Sequence, residues 1–86
     1  MEDIKINFLC DVDADGIKII EITDLETSKY LKRIGYNKPS HWYWLDKDLA
    51  FVKYGKRRMN HNKYDDFIYS APTKDEVLNF LKISKL

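Results

Sequence analysis

The sequence predicts an α+β fold, a small antiparallel sheet of four or five strands with two helices packed on one face. Three observations carry this prediction. Several short runs rich in β-branched and aromatic residues are typical of strands, and turn formers separate them. Two stretches of helical periodicity each begin with a Thr-x-x-Glu capping box. The chain has 86 residues without a linker or a repeat, which is the size of one compact domain over residues 1–86.

The first half of the chain predicts a hairpin followed by a helix. Strict alternation over residues 4–10 indicates a strand whose buried face carries Ile4, Ile6, Phe8 and Cys10. A free cysteine in such a position is expected to be buried and inert. A second strand is predicted over residues 17–22. Its alternation of apolar and polar residues changes phase between Ile19 and Ile20, which indicates a bulge or burial of both faces.

The first helix is expected to begin at the capping box of Thr23 and Glu26 and to end at Gly35. Its periodicity places four residues in one buried stripe, namely Leu25, Ser28, Leu31 and Ile34.

The second half predicts three more strands and a second helix. The strands are expected over residues 42–45, 51–54 and 66–70, with turns at residues 46–48 and 60–62. Pro72 ends the extended segment, and Thr73 with Glu76 forms the second capping box. The apolar residues of this last helix are Val77, Leu78, Phe80 and Leu81.

Composition restricts the class of protein. A single core of this size gives only roughly 3–5 kcal/mol of stability, so a homodimer is expected to add to it. Cys10 is the only cysteine, which excludes an intrachain disulfide. The apolar runs fall far short of the ~20 residues that span a bilayer, and the N-terminus lacks a secretory pattern. We therefore predict a soluble intracellular protein with no membrane partner.

The net charge of +1 hides an uneven distribution of charge along the chain. Residues 1–35 carry five basic and eight acidic side chains, and residues 65–86 carry three and four. Residues 36–64 between them carry seven basic side chains and two acidic ones. This asymmetry favours an anionic partner for the middle segment, although a solvated loop with incidental lysines has the same composition.

The same middle segment is rich in aromatic residues. Half of the aromatic side chains lie within residues 36–54, and Gly-Lys-Arg-Arg follows at once. Ring faces next to positive charge suit a phosphate-bearing ligand that can stack, because rings stack on rings and Arg binds phosphate with two hydrogen bonds. The predicted ligand-binding residues are His41, Trp42, Trp44, Lys53, Tyr54, Lys56, Arg57 and Arg58.

These aromatic residues would serve equally well as the core of a domain with few aliphatic side chains. Alternation along a strand places Trp42 and Trp44 on one face and Tyr43 on the other. One of these two sets is therefore expected in the core, and the other is free to be exposed.

An acidic motif before the second strand matches the first half of a calcium-binding loop, D-x-D-x-D-G. Ile22 stands at the twelfth position, where such a loop needs a bidentate Glu. An acidic hairpin turn is therefore the main interpretation, and a weak cation site is the alternative. Its ligands would be Asp11, Asp13 and Asp15.

The sequence contains no convincing catalytic set. His41 and His61 lack metal-ligand spacing with Cys10, and the adjacent Asp65 and Asp66 would point to opposite faces of a strand. With only three scattered glycines there is no phosphate-binding loop. We predict that the protein is not an enzyme and that it needs no cofactor.

Three segments together resemble a known group of proteins. They are Leu31-Lys-Arg-Ile-Gly-Tyr-Asn-Lys-Pro39, the cluster Trp42-Tyr-Trp44, and Ser70-Ala-Pro-Thr73 before a final amphipathic helix. This order is similar to small uncharacterised proteins of phages and mobile elements of Bacteroidetes-type bacteria, over about residues 25–83. The final helix of those proteins usually contains Trp, where this chain has Leu78-Asn-Phe-Leu81. The resemblance implies a phage-type accessory protein in the cytoplasm of a bacterial host, and it implies no site residues.

Three functions therefore follow as hypotheses. The first is a non-catalytic binder of a nucleotide-like small ligand, such as a cyclic nucleotide messenger sequestered as counter-defence, with a dimer interface that buries the ligand. The second is an inhibitor or adaptor that binds a host protein through an exposed aromatic patch. The third is a single-stranded nucleic-acid binder, which the acidic flanking segments disfavour. Under the first hypothesis, Arg57→Ala or Trp44→Ala is expected to abolish ligand binding while the fold is retained.

Overall fold

A computed structural model describes residues 6–12 and 15–81. In chain order the elements are β1 (Phe8–Val12), β2 (Ile19–Thr23), α1 (Leu25–Arg33), β3 (Ser40–Leu45), β4 (Phe51–Met59), a single 3₁₀ turn (His61–Lys63), β5 (Ile68–Ala71) and α2 (Lys74–Leu81). The predicted α+β class is confirmed. β4 is the element that departs most from prediction, because it continues five residues beyond the predicted residues 51–54.

The five strands form two antiparallel sheets, where one sheet was expected. β1 pairs with β2 in a two-stranded hairpin, and the second sheet has the order β4-β3-β5. The hairpin meets the chain after β5 at one isolated bridge between Ile22 and Thr73 and at a hydrogen bond from Thr23 N to Pro72 O of 3.1 Å. Proline has no N–H to donate, so Pro72 cannot extend this pairing into a continuous ladder.

The N-cap of helix α1 lies one residue later in the chain than predicted. Asp24 is the N-cap, and its carboxylate accepts a hydrogen bond from Thr27 N at 2.9 Å. Thr23 instead ends β2, where its hydroxyl lies 2.6 Å from the Ser28 hydroxyl in the buried interior. The predicted capping box of Thr23 and Glu26 is therefore wrong, because burial of Thr23 assigns the cap to the neighbouring acid.

Helix α1 ends at Gly35, as the sequence predicted. Gly35 has a φ of 95°, a left-handed conformation that glycine adopts without steric cost. Gly35 N donates to Lys32 O at 3.1 Å and Tyr36 N donates to Leu31 O at 2.9 Å, the paired hydrogen bonds of a Schellman motif. This motif turns the Tyr36 ring back onto Leu31, and both side chains are buried.

Helix α2 begins with the predicted capping box. Thr73 N donates to Glu76 Oε1 at 2.8 Å, and Glu76 N donates to Thr73 Oγ1 at 3.3 Å. Val77, one residue later, is fully buried. The sequence alone was sufficient to predict this helix start, because Thr73 and Glu76 lie within one turn of each other.

The core consists of two clusters. The first lies between the hairpin and one face of the three-stranded sheet, and its buried members are Ile22, Trp42, Trp44 and Ala71. The second joins the two helices through Leu31, Tyr36 and Val77, with Phe80 meeting the Tyr36 ring edge-on at 4.8 Å between ring centroids. The helices thus pack together through the second cluster, while the indoles fill the first.

Two predicted core residues are exposed. Cys10 lies opposite Glu21 on the outer face of the hairpin, and both side chains are exposed. Asp11, the next residue, bonds with Trp42 of the first core cluster, so alternation along the strand directs Cys10 away from that cluster. Ile34 is 41% exposed because it is the C-cap of α1, where the backbone has already left helical geometry. Ile4, predicted on the buried face of the first strand, lies outside the described residues.

Neither of the two described helices is long and apolar enough to cross a membrane.

Candidate functional site

The two indoles of the predicted site are core residues. Trp42 and Trp44 share one face of the sheet, as alternation predicted, and are only 3% and 9% exposed. Trp42 Nε1 donates to Asp11 Oδ2 at 2.9 Å, and Trp44 Nε1 donates to the Thr23 carbonyl at 3.1 Å. With both faces packed and both N–H groups satisfied, neither ring can stack on a ligand. Their assignment to the binding site is therefore corrected.

The opposite face of the same sheet is open, and we call it the open face. It carries Tyr43 and Leu45 of β3, which the register pairs with Lys53 and Phe51 of β4. Ile68 of β5 lies on the other side of Leu45. A cleft of about 450 Å³ lies on this face. We call it the β4 cleft, and it is lined by Tyr43, Gly55, Lys56, Arg57, Met59, His61, Tyr64 and Ile68.

A β-bulge in β4 explains how neighbouring residues line one cleft. Ser40 pairs with Met59 and Trp42 pairs with Tyr54, so the four residues 55–58 lie opposite the single residue His41. In a regular strand Lys56 and Arg57 would point to opposite faces of the sheet. A Cβ atom on Gly55 would lie 3.2 Å from His41 O, so glycine also permits the close approach of the two strands.

The predicted basic residues differ in their contacts. Within the described part of the chain, Lys56 and Arg57 have no hydrogen-bond or ion-pair partner, and both are exposed. Arg58 forms an ion pair with Glu76 of α2 and donates to Pro39 O at 3.2 Å. Lys53 lies over the Phe51 ring, with its Nζ 5.3 Å from the centroid. Lys56 and Arg57 are thus the two predicted cations that line the cleft with their charges unpaired.

His41 and Tyr54 lie outside the β4 cleft. Their rings stack at 5.0 Å between centroids with an interplanar angle of 14°, and His41 Nδ1 is 3.2 Å from the Gly55 carbonyl. Tyr54 also meets the edge of Trp42 at 4.8 Å. This pair covers the edge of the first core cluster, so the predicted site is divided between the two sides of the sheet.

The cleft includes residues that the sequence did not single out. Tyr64 is 59% exposed at the side of the cleft, with Met59 and Ile68 nearby. The floor is a stacked pair of Tyr43 and His61, whose ring centroids are 4.4 Å apart. Gly55, in the middle of a strand pattern, was the one feature of the sequence that could have indicated this cleft, since such a glycine indicates a bulge or a close approach of two strands.

His61 is held in the neutral form. It is 6% exposed, and its Nε2 lies 2.9 Å from the Ser40 carbonyl, so Nε2 carries the proton and donates. Burial lowers the pKa of His61 below its usual 6.5 because the charged imidazolium would lose its hydration. The Ser40 carbonyl acts against this shift of the pKa, and the nearby His41 adds to it.

We expect the fold to lose stability as pH falls below about 6.5. The unfolded chain takes up a proton at His61 near that pH, while the folded protein does so only at its lower pKa. The free energy of unfolding should therefore decrease as the pH falls from the unfolded-state pKa to the folded-state pKa, by at most about 1.4 kcal/mol per pH unit for this one proton. Urea unfolding from pH 5 to pH 8 measures this slope. His61→Gln should remove it, and the control His41→Gln should leave it in place; an unchanged slope in His61→Gln would contradict the assignment.

The acidic loop before β2 offers no described cation site. The Asp11 carboxylate accepts hydrogen bonds from Val12 N at 2.8 Å and from Trp42 Nε1, which holds it at the core. Asp15 is exposed, and Asp13 lies outside the described residues. Among residues 6–12 and 15–81, no three His, Cys, Asp or Glu side chains come together in a way that could hold a metal ion.

The geometry defines a small α+β protein with an open, ring-lined and basic cleft on one sheet face. Comparison with protein-family models finds no match, and searches of curated proteins and of solved structures find no significant similarity to this chain.

Proposed function

We propose that this protein binds a nucleotide-like, phosphate-bearing small ligand in the β4 cleft and does so without catalysis. One observation carries the proposal: Lys56 and Arg57 stand unpaired, among the described residues, beside a cleft lined by aromatic rings. Unpaired cations held together by a bulge attract an anion, and the guanidinium of Arg57 can bind a phosphate through two parallel hydrogen bonds.

The shape and lining of the cleft support the same ligand class. Its volume of about 450 Å³ falls within the range of roughly 300–1,000 Å³ that is typical of small-molecule sites. The exposed Tyr64 ring offers a stacking face for a base, and Met59 provides an adaptable apolar contact. A base on Tyr64 would place its phosphate toward Lys56 and Arg57.

The biological setting is part of the proposal. We propose a phage-type accessory protein that acts as a homo-oligomer in the cytoplasm of its bacterial host. Sequestration of a cyclic nucleotide messenger as counter-defence fits the ligand class, because a binder of this kind needs affinity and no catalytic group. The motifs of residues 31–39, 42–44 and 70–73 support this setting by resemblance.

Thermal unfolding against a ligand panel tests the proposal. The panel contains mononucleotides, dinucleotides, cyclic dinucleotides and oligonucleotides, inorganic phosphate, and a short single-stranded DNA. A ligand at about 100 times its dissociation constant stabilises the fold by roughly 2.7 kcal/mol, which raises the Tm of a domain of this size by several degrees. Arg57→Ala should weaken binding of the hit at least tenfold, about 1.4 kcal/mol, because it removes a charged hydrogen-bond partner.

Lys53→Ala is the matched control. It removes the same charge from the same strand but lies outside the lining of the cleft, so binding should change little. No shift with any nucleotide, or equal losses in Arg57→Ala and Lys53→Ala, would overturn the proposal. A hit with single-stranded DNA alone, with steep salt dependence, would identify a nucleic-acid binder instead.

Protein binding is the second candidate function. It is favoured by Leu49, Phe51 and Phe67, large apolar side chains that stay exposed on and beside the open face. A host-protein inhibitor or adaptor would use them as the apolar centre of its interface.

A further inference from the structure

His61 has one ring nitrogen to which no described residue bonds. Its Nε2 lies 2.9 Å from the Ser40 carbonyl, and only an N–H group can bond to a carbonyl, so the proton is on Nε2. A neutral imidazole carries a single ring N–H, which makes the other nitrogen, Nδ1, an acceptor with a free lone pair. Burial keeps the ring neutral, because it lowers the pKa of His61 below its usual 6.5.

Nδ1 of His61 can be reached from the β4 cleft. Among residues 6–12 and 15–81, no group forms a hydrogen bond with Nδ1. The buried side-chain atoms without a hydrogen-bond partner in this part of the chain are Asn60 Oδ1 and Ser70 Oγ, and Nδ1 is not one of them. Nδ1 is therefore in contact with solvent. Because His61 is only 6% exposed and lines the β4 cleft, that contact is made through the cleft.

Two contacts fix the direction in which Nδ1 points. The His61 ring stacks on Tyr43 at an interplanar angle of 27°, and Nε2 is held by the Ser40 carbonyl. The ring cannot turn Nε2 toward the cleft without losing that hydrogen bond. The acceptor is thus held in place before a ligand arrives, and a preorganised group contributes more to affinity than a mobile one.

The other nitrogen atoms in the side chains that line the cleft are donors. Lys56 and Arg57 carry N–H groups and no acceptor, so they suit the oxygens of a phosphate. The hydroxyls of Tyr43 and Tyr64 can donate or accept. Nδ1 of His61 can only accept. A ligand that matches this lining therefore has an anionic group at one end and an N–H donor at the other.

We infer that the ligand of the β4 cleft is a nucleotide whose base carries an exocyclic amino group, and that this group donates a hydrogen bond to Nδ1 of His61. The inference rests on the proposed function and names the kind of base. Adenine, guanine and cytosine have such an amino group, whereas hypoxanthine and uracil lack it. His61 lies in the floor of the cleft, and an amino group that projects from a base reaches a recessed atom better than a ring N–H does. A base without it would leave Nδ1 covered and unpaired.

NMR titration of the wild-type protein tests the inference, with AMP, GMP, CMP, IMP, UMP and inorganic phosphate as probes. The nucleotide that binds most tightly should carry an amino group. Its counterpart without that group, IMP for a purine and UMP for a pyrimidine, should bind at least about tenfold more weakly. The nitrogen resonance of His61 Nδ1 should shift when the amino nucleotide binds, because a hydrogen bond changes the shielding of an unprotonated nitrogen. The counterpart should leave that resonance in place.

His61→Phe keeps a ring in the floor of the cleft and removes the acceptor. The ratio of the two dissociation constants should therefore fall to about one. His41→Phe is the matched control, since it makes the same change at a histidine that stacks on Tyr54 outside the cleft, and it should keep the wild-type ratio. Circular dichroism checks that both variants fold. The wild-type nitrogen resonance decides the question even if His61→Phe does not fold.

Three results would each overturn the inference. They are equal affinities for the amino nucleotide and its counterpart, a proton on Nδ1 in the wild-type spectrum, and an unchanged ratio in folded His61→Phe. Nucleotide binding without a preference for the amino group refutes this inference alone and leaves the proposed function standing. Failure of every nucleotide to bind overturns the proposed function and this inference together, so the two failures are distinguishable.

Discussion

Trp44→Ala is expected to unfold most of the protein. Truncation of a buried Trp costs roughly 3–5 kcal/mol, which is about the whole stability of a domain of this size. Trp44 packs among Ile22 and Ala71 in the first core cluster and also donates to the Thr23 carbonyl, which would be left without that donor. This result differs from the prediction made from the sequence, in which the variant lost its ligand and kept its fold.

Circular dichroism with urea unfolding measures the effect. Trp44→Phe keeps a packed ring and loses the hydrogen bond to Thr23 O, so it should remain folded with a loss of roughly 1–3 kcal/mol. Tyr64→Ala is the matched control at an exposed ring and should change stability by less than about 0.5 kcal/mol. A folded Trp44→Ala protein with near wild-type stability would show that the indole is not a core residue.

Leu31→Ala is expected to have the second-largest effect, a loss of roughly 2–5 kcal/mol in the free energy of unfolding. Leu31 of α1 is fully buried against the Tyr36 ring and Val77 of α2, so its truncation would leave a cavity between the two helices. The same residue accepts the hydrogen bond that ends α1, but through its backbone carbonyl, which alanine retains. The measured loss therefore reports packing.

Ile34→Ala on the same helix is the control. Both residues belong to the stripe predicted from the sequence, but Ile34 is 41% exposed at the C-cap. Its truncation should cost less than about 1 kcal/mol. Equal losses from the two variants, measured by urea unfolding with an unchanged m-value, would contradict the placement of Leu31 in the joint between the helices.

Signals within one turn of the chain predicted local structure well. Gly35 ends α1 with a left-handed residue, and Thr73 with Glu76 begins α2, as expected. The first capping box was misassigned because Thr23 and Asp24 are both good caps, and burial of Thr23 selected between them. Where two adjacent residues satisfy the same local rule, a distant packing contact decides.

The candidate site was predicted only in part. Alternation placed Trp42 and Trp44 on one face, but it could not say which face β2 and α1 would cover. Nor did it predict the bulge after Tyr54, which brings Lys56 and Arg57 to the same cleft. The 3₁₀ turn between β4 and β5 places His61 and Tyr64 in the lining of that cleft. Alternation within a strand carries no information about such a turn.

The amino-acid sequence alone determined the α+β class, the basic aromatic segment, the end of α1 and the start of α2, since these depend on periodicity, composition and contacts between near neighbours. The tertiary structure alone decided which rings are buried and which charges are unpaired. Arg57 and Arg58 are adjacent and chemically identical, yet Glu76 of α2 pairs with Arg58 and leaves Arg57 beside the cleft. That difference arises from residues far apart in the chain, because pairing and burial depend on distance in space.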